Sequence, residues 1–78
     1  MVNVEELLER VVVDPNILVG KPIIRGTRIP VYLIVELMAS GMDVGEVLRE
    51  YPELKEEDVK AALLYASRLL EREITVAL

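Results

Sequence analysis

Cysteine, histidine, tryptophan, phenylalanine and glutamine are all absent from this sequence of 78 residues. Without cysteine there is no disulfide, and without cysteine or histidine the usual structural zinc site is excluded. The same absences remove the standard nucleophile–base pairs, so neither a catalyst nor a bound metal or cofactor is expected. Asparagine occurs only at Asn3 and Asn16, a composition that suits a thermophilic source. Long apolar runs are lacking too: no window approaches the roughly 20 apolar residues of a membrane span. The opening M-V-N-V-E-E-L-L-E-R carries acids where a secretory signal has a basic start. The expected location is therefore cytoplasmic, with no membrane partner.

What remains is rich in Val, Leu, Ile and Glu, and 53% of the residues are hydrophobic. A chain this short forms one domain with a modest core and is marginally stable alone. So much apolar surface is more than a small monomer easily hides, and a homodimer is expected.

Charge is unevenly placed. The formal net charge is -5, yet G-K-P-I-I-R-G-T-R-I-P-V, from Gly20 to Val31, holds Lys21, Arg25 and Arg28 and no acid. From Val31 onward ten acids face five bases. An acidic balance of this kind opposes broad nucleic-acid affinity. The cationic stretch supports two readings. In one, Lys21, Arg25, Arg28 and the Thr27 hydroxyl contact phosphate or another anion. In the other, Gly26 supplies a special φ and Thr27 bonds locally, while the arginines pair with Glu36, Glu46 or Glu50.

Local signals set out the elements. Asn3, with Glu6 three residues on, resembles a helix N-cap. R-V-V-V is β-branched and suits a strand, D-P-N a turn, and K-P-I-I-R a second strand that Pro22 confines to a sheet edge. Gly26 breaks that strand, and Pro30 suits the first turn of a helix whose face is Ile34, Leu37 and Met38. Gly41 is placed to cap it, and Asp43 with Glu46 forms a capping box for the next helix, which Pro52 stops. The last helix begins near Lys55 or Glu56, with Glu56, Glu57 and Asp58 at the positive end of its dipole. Its apolar stripe is Val59, Ala62, Leu63, Ala66, Leu69 and Leu70. Beyond it I-T-V-A-L is β-prone. Ile74, Val76 and Leu78 alternate as a strand does, which marks them as candidates for pairing with a partner or with a second copy. The expected fold is mainly α: a short N-terminal β-hairpin followed by a three-helix, helix-turn-helix-like bundle. Residues 1–28 form the N-terminal helix and hairpin, 29–71 the three-helix core and 72–78 a C-terminal tail.

Three tyrosines could stack on bases. Tyr51 and Tyr65 lie on or beside apolar stripes, where packing is the simpler role. Tyr32 faces away from Ile34 and is expected to be exposed at a partner or dimer surface.

Taken in order, D-P-N-I-L-V-G-K-P-I-I-R-G-T-R-I-P-V, the A-S-G helix end, the Y-P-E-L turn and E-D-V-K-A-A-L-L-Y-A resemble domain of unknown function family 433. Gly20, Lys21, Pro22, Gly26, Thr27, Arg28 and Pro30 match its signature. Tyr51, Pro52 and Leu54 match its turn, and Asp58, Ala61, Ala62 and Tyr65 its last helix. The resemblance implies a small VapB-type antitoxin encoded beside a PIN-like nuclease, which it neutralises, with its own operator DNA as a second partner. This chain departs from the family at Val19, commonly Gly, and at Lys55, commonly Thr. Losing that Thr removes a cap hydroxyl worth about 1 kcal/mol. The acidic K-E-E-D-V-K start of the last helix opposes its entry into a major groove. Between the competing roles of antitoxin, interaction module without nucleic acid, and stand-alone regulator, the resemblance favours the first.

Overall fold

The computed structural model describes the backbone of residues 3–77 and the side chains of residues 3–72. Helix α1 is Val4–Leu8, capped by Asn3, whose side-chain oxygen accepts from the N–H groups of Glu5 at 2.9 Å and Glu6 at 3.3 Å. Strands β1, Val11–Val13, and β2, Pro22–Ile24, form an antiparallel pair with Val12 opposite Ile23. Pro22 lies opposite Val13 at the end of this ladder, where its missing N–H costs little. Between the strands Leu18–Gly20 makes a tight turn with three successive positive φ values, 51°, 56° and 76°.

Three helices follow: α2, Val31–Ala39; α3, Val44–Glu50; and α4, Glu56–Ala77. Pro30 sits one residue earlier than expected. It is the N-cap of α2, with extended backbone, and bridges Ile23 of the hairpin. Just past the Ser40 cap of α2 stands Gly41, φ +106°, whose N–H donates to the Met38 carbonyl at 3.1 Å while that of Met42 donates to the Leu37 carbonyl at 3.2 Å. These two bonds satisfy carbonyls that the helix end leaves without partners. Both halves of the Asp43–Glu46 capping box form, at 2.8 and 3.0 Å. The protein is thus mainly α, a hairpin followed by a three-helix, helix-turn-helix-like bundle.

Ile24, Ile29, Val31, Ile34, Val47, Leu54, Val59 and Ala62 form the core cluster, fed by the hairpin and all three larger helices. Helix α4 is the spine: α1, β1, α2 and α3 all pack against it. Burial of side chains such as Ile34 and Val59 stabilises by about 2 kcal/mol each.

The tail departs from expectation. The backbone does not become a strand at Ile74 and Val76 but continues as α4 to Ala77, across the boundary drawn at residue 72. Leu78 lies outside the described residues. No Gly or Pro interrupts the sequence from Glu56 to Ala77, and extending a formed helix needs no new nucleus. Each β-branched residue costs only about 0.5 kcal/mol relative to Ala, too little to end the helix.

Candidate binding surfaces

The cationic stretch folds as an elbow from β2 into α2. Arg25 and Gly26 are the middle of a turn closed by the Thr27 N–H donating to Ile24 at 3.0 Å, and Gly26 takes φ +80° at its third position. The Thr27 hydroxyl donates to the Ile24 carbonyl at 2.8 Å and accepts from the Ile29 N–H at 3.0 Å. Its single proton is therefore committed to the turn. That local role is the one expected from the second reading of the stretch.

The arginine pairings of that reading do not form. Among the described residues neither Arg25 nor Arg28 makes an ion pair, and both are exposed. The Glu46 carboxylate instead accepts the Asp43 N–H in the capping box. Nor do the three cations converge on one ligand. Arg25 lines a cleft with Glu6, Glu9, Arg10 and Asp58. Arg28 lines a separate depression with Asp14, Tyr51 and Glu53. The Lys21 ammonium stands 4.9 Å from the centroid of the Tyr32 ring, a contact worth about 0.5–1 kcal/mol at an exposed position. Tyr51 and Tyr65 are partly buried against the core, whereas Tyr32 is 51% exposed.

Two features were not read from the sequence. Asp58, 6% exposed, accepts from the Lys55 N–H at 2.8 Å and pairs with the Arg10 guanidinium at 3.0 Å. It supplies the reciprocal half of a capping box where the Lys55 side chain makes no cap bond. The signal for that half was legible, since Asp58 stands three residues after the N-cap. Its partner Arg10, 48 residues away, was not.

The second is an apolar groove between α2 and α4. Of the stripe on α4, Val59 and Ala62 are buried in the core, but Leu63, Leu69 and Leu70 remain exposed. The cause is length. Helix α4 has 22 residues and α2 has 9, so at about 1.5 Å per residue α2 cannot cover it. Tyr32 and Val35 of α2 form the other wall.

A third surface is acidic. Asp43, Glu46, Glu50, Glu53, Glu56 and Glu57 are all exposed along α3 and the start of α4, against only Arg49 and Lys55 in the same span.

Fold and surfaces together define a small, mainly helical protein with a helix-turn-helix-like core and no helix, among the described residues, long and apolar enough to cross a membrane. The chain belongs to the family described as protein of unknown function (DUF433), whose model matches residues 11–66. It is similar to the crystal structure of a DUF433 member from Anabaena variabilis, with TM-score 0.74 and 35% identity, covering 92% of this chain and 74% of that one. Among curated proteins it is 41% identical over 58 residues to the uncharacterized protein y4eO of Sinorhizobium fredii, spanning 74% of this chain but only 26% of that relative. An uncharacterized protein of Archaeoglobus fulgidus is 67% identical over 24 residues, 31% of this chain and 67% of that protein.

Proposed function

We propose that this protein is a dimeric, antitoxin-like binding protein that neutralises a PIN-like nuclease by covering the basic channel through which such an enzyme draws its nucleic-acid substrate. The observation that carries the reading is the acidic corner of α3 and α4. Six exposed carboxylates against Arg49 and Lys55 give this corner a net charge of -4 in a chain of net charge -5. Two caps hold the backbone of this corner in place, so the charges are presented on a rigid frame. A fixed array of carboxylates offers a basic channel what a phosphate backbone offers it. No reaction is involved; the action is occlusion.

The test is co-expression with the adjacent gene's nuclease, followed by size exclusion and an RNA-cleavage assay. Wild-type protein co-elutes with the nuclease and blocks cleavage. Reversing Glu50, Glu53 and Glu57 to Lys weakens inhibition on the order of tenfold or more, mainly through slower association. Independent elution of the wild-type pair overturns the reading.

Binding of operator DNA is a second activity, favoured by the exposure of Arg25 and Arg28 without ion pairs among the described residues. In a gel-shift titration at two salt concentrations, changing both to Ala lowers the salt slope by about 2, one unit per lost phosphate contact. An unchanged slope removes the elbow as the contact.

A further inference from the structure

We propose that the apolar groove between α2 and α4 receives the α4 helix of a second copy of this chain, the two α4 helices crossing antiparallel near Tyr65 and Ala66. This deepens the dimer named above and rests on that reading only for the existence of a second copy; the nuclease has no part in it.

The groove is a continuous face. Two adjoining depressions share Val35, Ala66 and Leu70, and Tyr32 at 51%, Leu63 at 39% and Leu70 at 57% exposure stand around them. Ala66 at the centre leaves room for a close approach, and the bulkier residues flank it.

Charge selects the occupant. Two chains of net charge -5 repel over most of their surfaces. From Val59 to Leu70, however, there is no acid, only Lys60 and Arg68. This is where another acidic copy approaches at least cost.

The flank of the face is self-complementary. Lys60 and Glu71 are eleven residues apart, close to three helical turns, so they lie on one flank of α4 with Ser67 between them and Leu63 and Ala66 on the adjoining face. Both are exposed, Lys60 in a pair with Glu56 of its own helix at 3.5 Å that leaves its ammonium open to a second carboxylate, and Glu71 lines the rim of the groove. In an antiparallel crossing centred midway, each Lys60 stands opposite the partner's Glu71, which gives two symmetric attractions from one sequence. The same geometry separates the acidic first turns. Glu56 and Glu57 sit about nine residues from the crossing, so the two turns end up about 27 Å apart at 1.5 Å per residue. That is well beyond the Debye length of about 10 Å at 0.1 M salt. A parallel crossing would set them side by side.

Sedimentation equilibrium over a range of protein concentration tests the proposal, with circular dichroism to confirm the fold of each variant. Wild type is a dimer. Leu70→Glu, at an exposed position outside the core cluster, raises the dimer dissociation constant at least about tenfold. Lys60→Glu and Glu71→Lys each weaken self-association when alone, because each variant sets like charges opposite one another. Mixed together, the two variants pair with each other, since every facing pair is again of opposite sign. That rescue across chains is one that an interaction within a single helix cannot produce. A wild-type monomer at all concentrations overturns both the dimer and this face. A wild-type dimer indifferent to Leu70→Glu and to the charge variants keeps the dimer and overturns the face. A wild-type monomer whose nuclease complex is lost on Leu70→Glu assigns the groove to a foreign chain and likewise overturns the proposal.

Discussion

At Val19 a β-branched side chain stands 95% exposed on a backbone with φ 56° and ψ 40°. Left-handed backbone costs a residue with a Cβ about 1–2 kcal/mol, and nothing buried offsets it here. Val19→Gly is expected to raise stability by about 0.5–1 kcal/mol, the strain relieved exceeding the entropy that glycine adds to the unfolded chain. Urea denaturation reads this directly, and a lower midpoint would refute the strain argument. Asp58 makes the opposite case. Its carboxylate is 6% exposed and holds both a cap N–H and the Arg10 guanidinium. Asp58→Ala is expected to cost about 2 kcal/mol, since it leaves a cap donor and a partly buried cation without their acceptor. Lys60→Ala, which removes an exposed pair with Glu56 at 3.5 Å, should cost the fold of a single protomer less than about 0.5 kcal/mol. A double-mutant cycle over Arg10 and Asp58 should be clearly non-additive, because the two are in direct contact.

The secondary-structure elements were legible wherever their ends are written locally. Asn3, Gly41 and the Asp43–Glu46 box each act within four residues of themselves, and each took the place its chemistry indicates. Asp43→Ala should cost about 1 kcal/mol by exposing the first turn of α3, visible as a lower thermal midpoint and a shallower helical signal. The Thr27 turn was legible for the same reason: donor and acceptor lie three residues apart. What was not legible depends on distance in the chain or on relative length. Alternation over Ile74 to Leu78 resembles a strand only if the preceding helix has stopped, and no residue before it stops a helix. The partners of Arg25 and Arg28 depend on which helix face turns toward the elbow, and α2 and α3 do not bring Glu36, Glu46 or Glu50 there. The groove arises because one helix outruns its neighbour, a comparison between elements that no single periodic pattern contains.

For the molecule as a whole, the proposed covering of the groove by a second copy would make stability a function of concentration. A chain whose apolar face is covered by a second copy gains stability by mass action. The thermal midpoint of wild type should therefore rise with protein concentration, while that of Leu70→Glu should stay level; equal slopes in a differential scanning series would contradict the packing of a second copy. The acidic corner and the groove lie on different parts of α4, its first turn and its middle, so the proposed nuclease contact and the proposed self-association should be separable by substitution.

The clasp between Arg10 and Asp58 also ties the chain's first segment to its longest helix. A protease cut just before Val11 that released the first segment would leave the hairpin and bundle with every one of their own residues, yet leave the enclosed Asp58 carboxylate with the Lys55 N–H and no cation. Beyond the lost Arg10 carbonyl that holds the Arg25 N–H, the harm would reach 48 residues downstream, where the start of the last helix loses the cation that steadies its capping carboxylate.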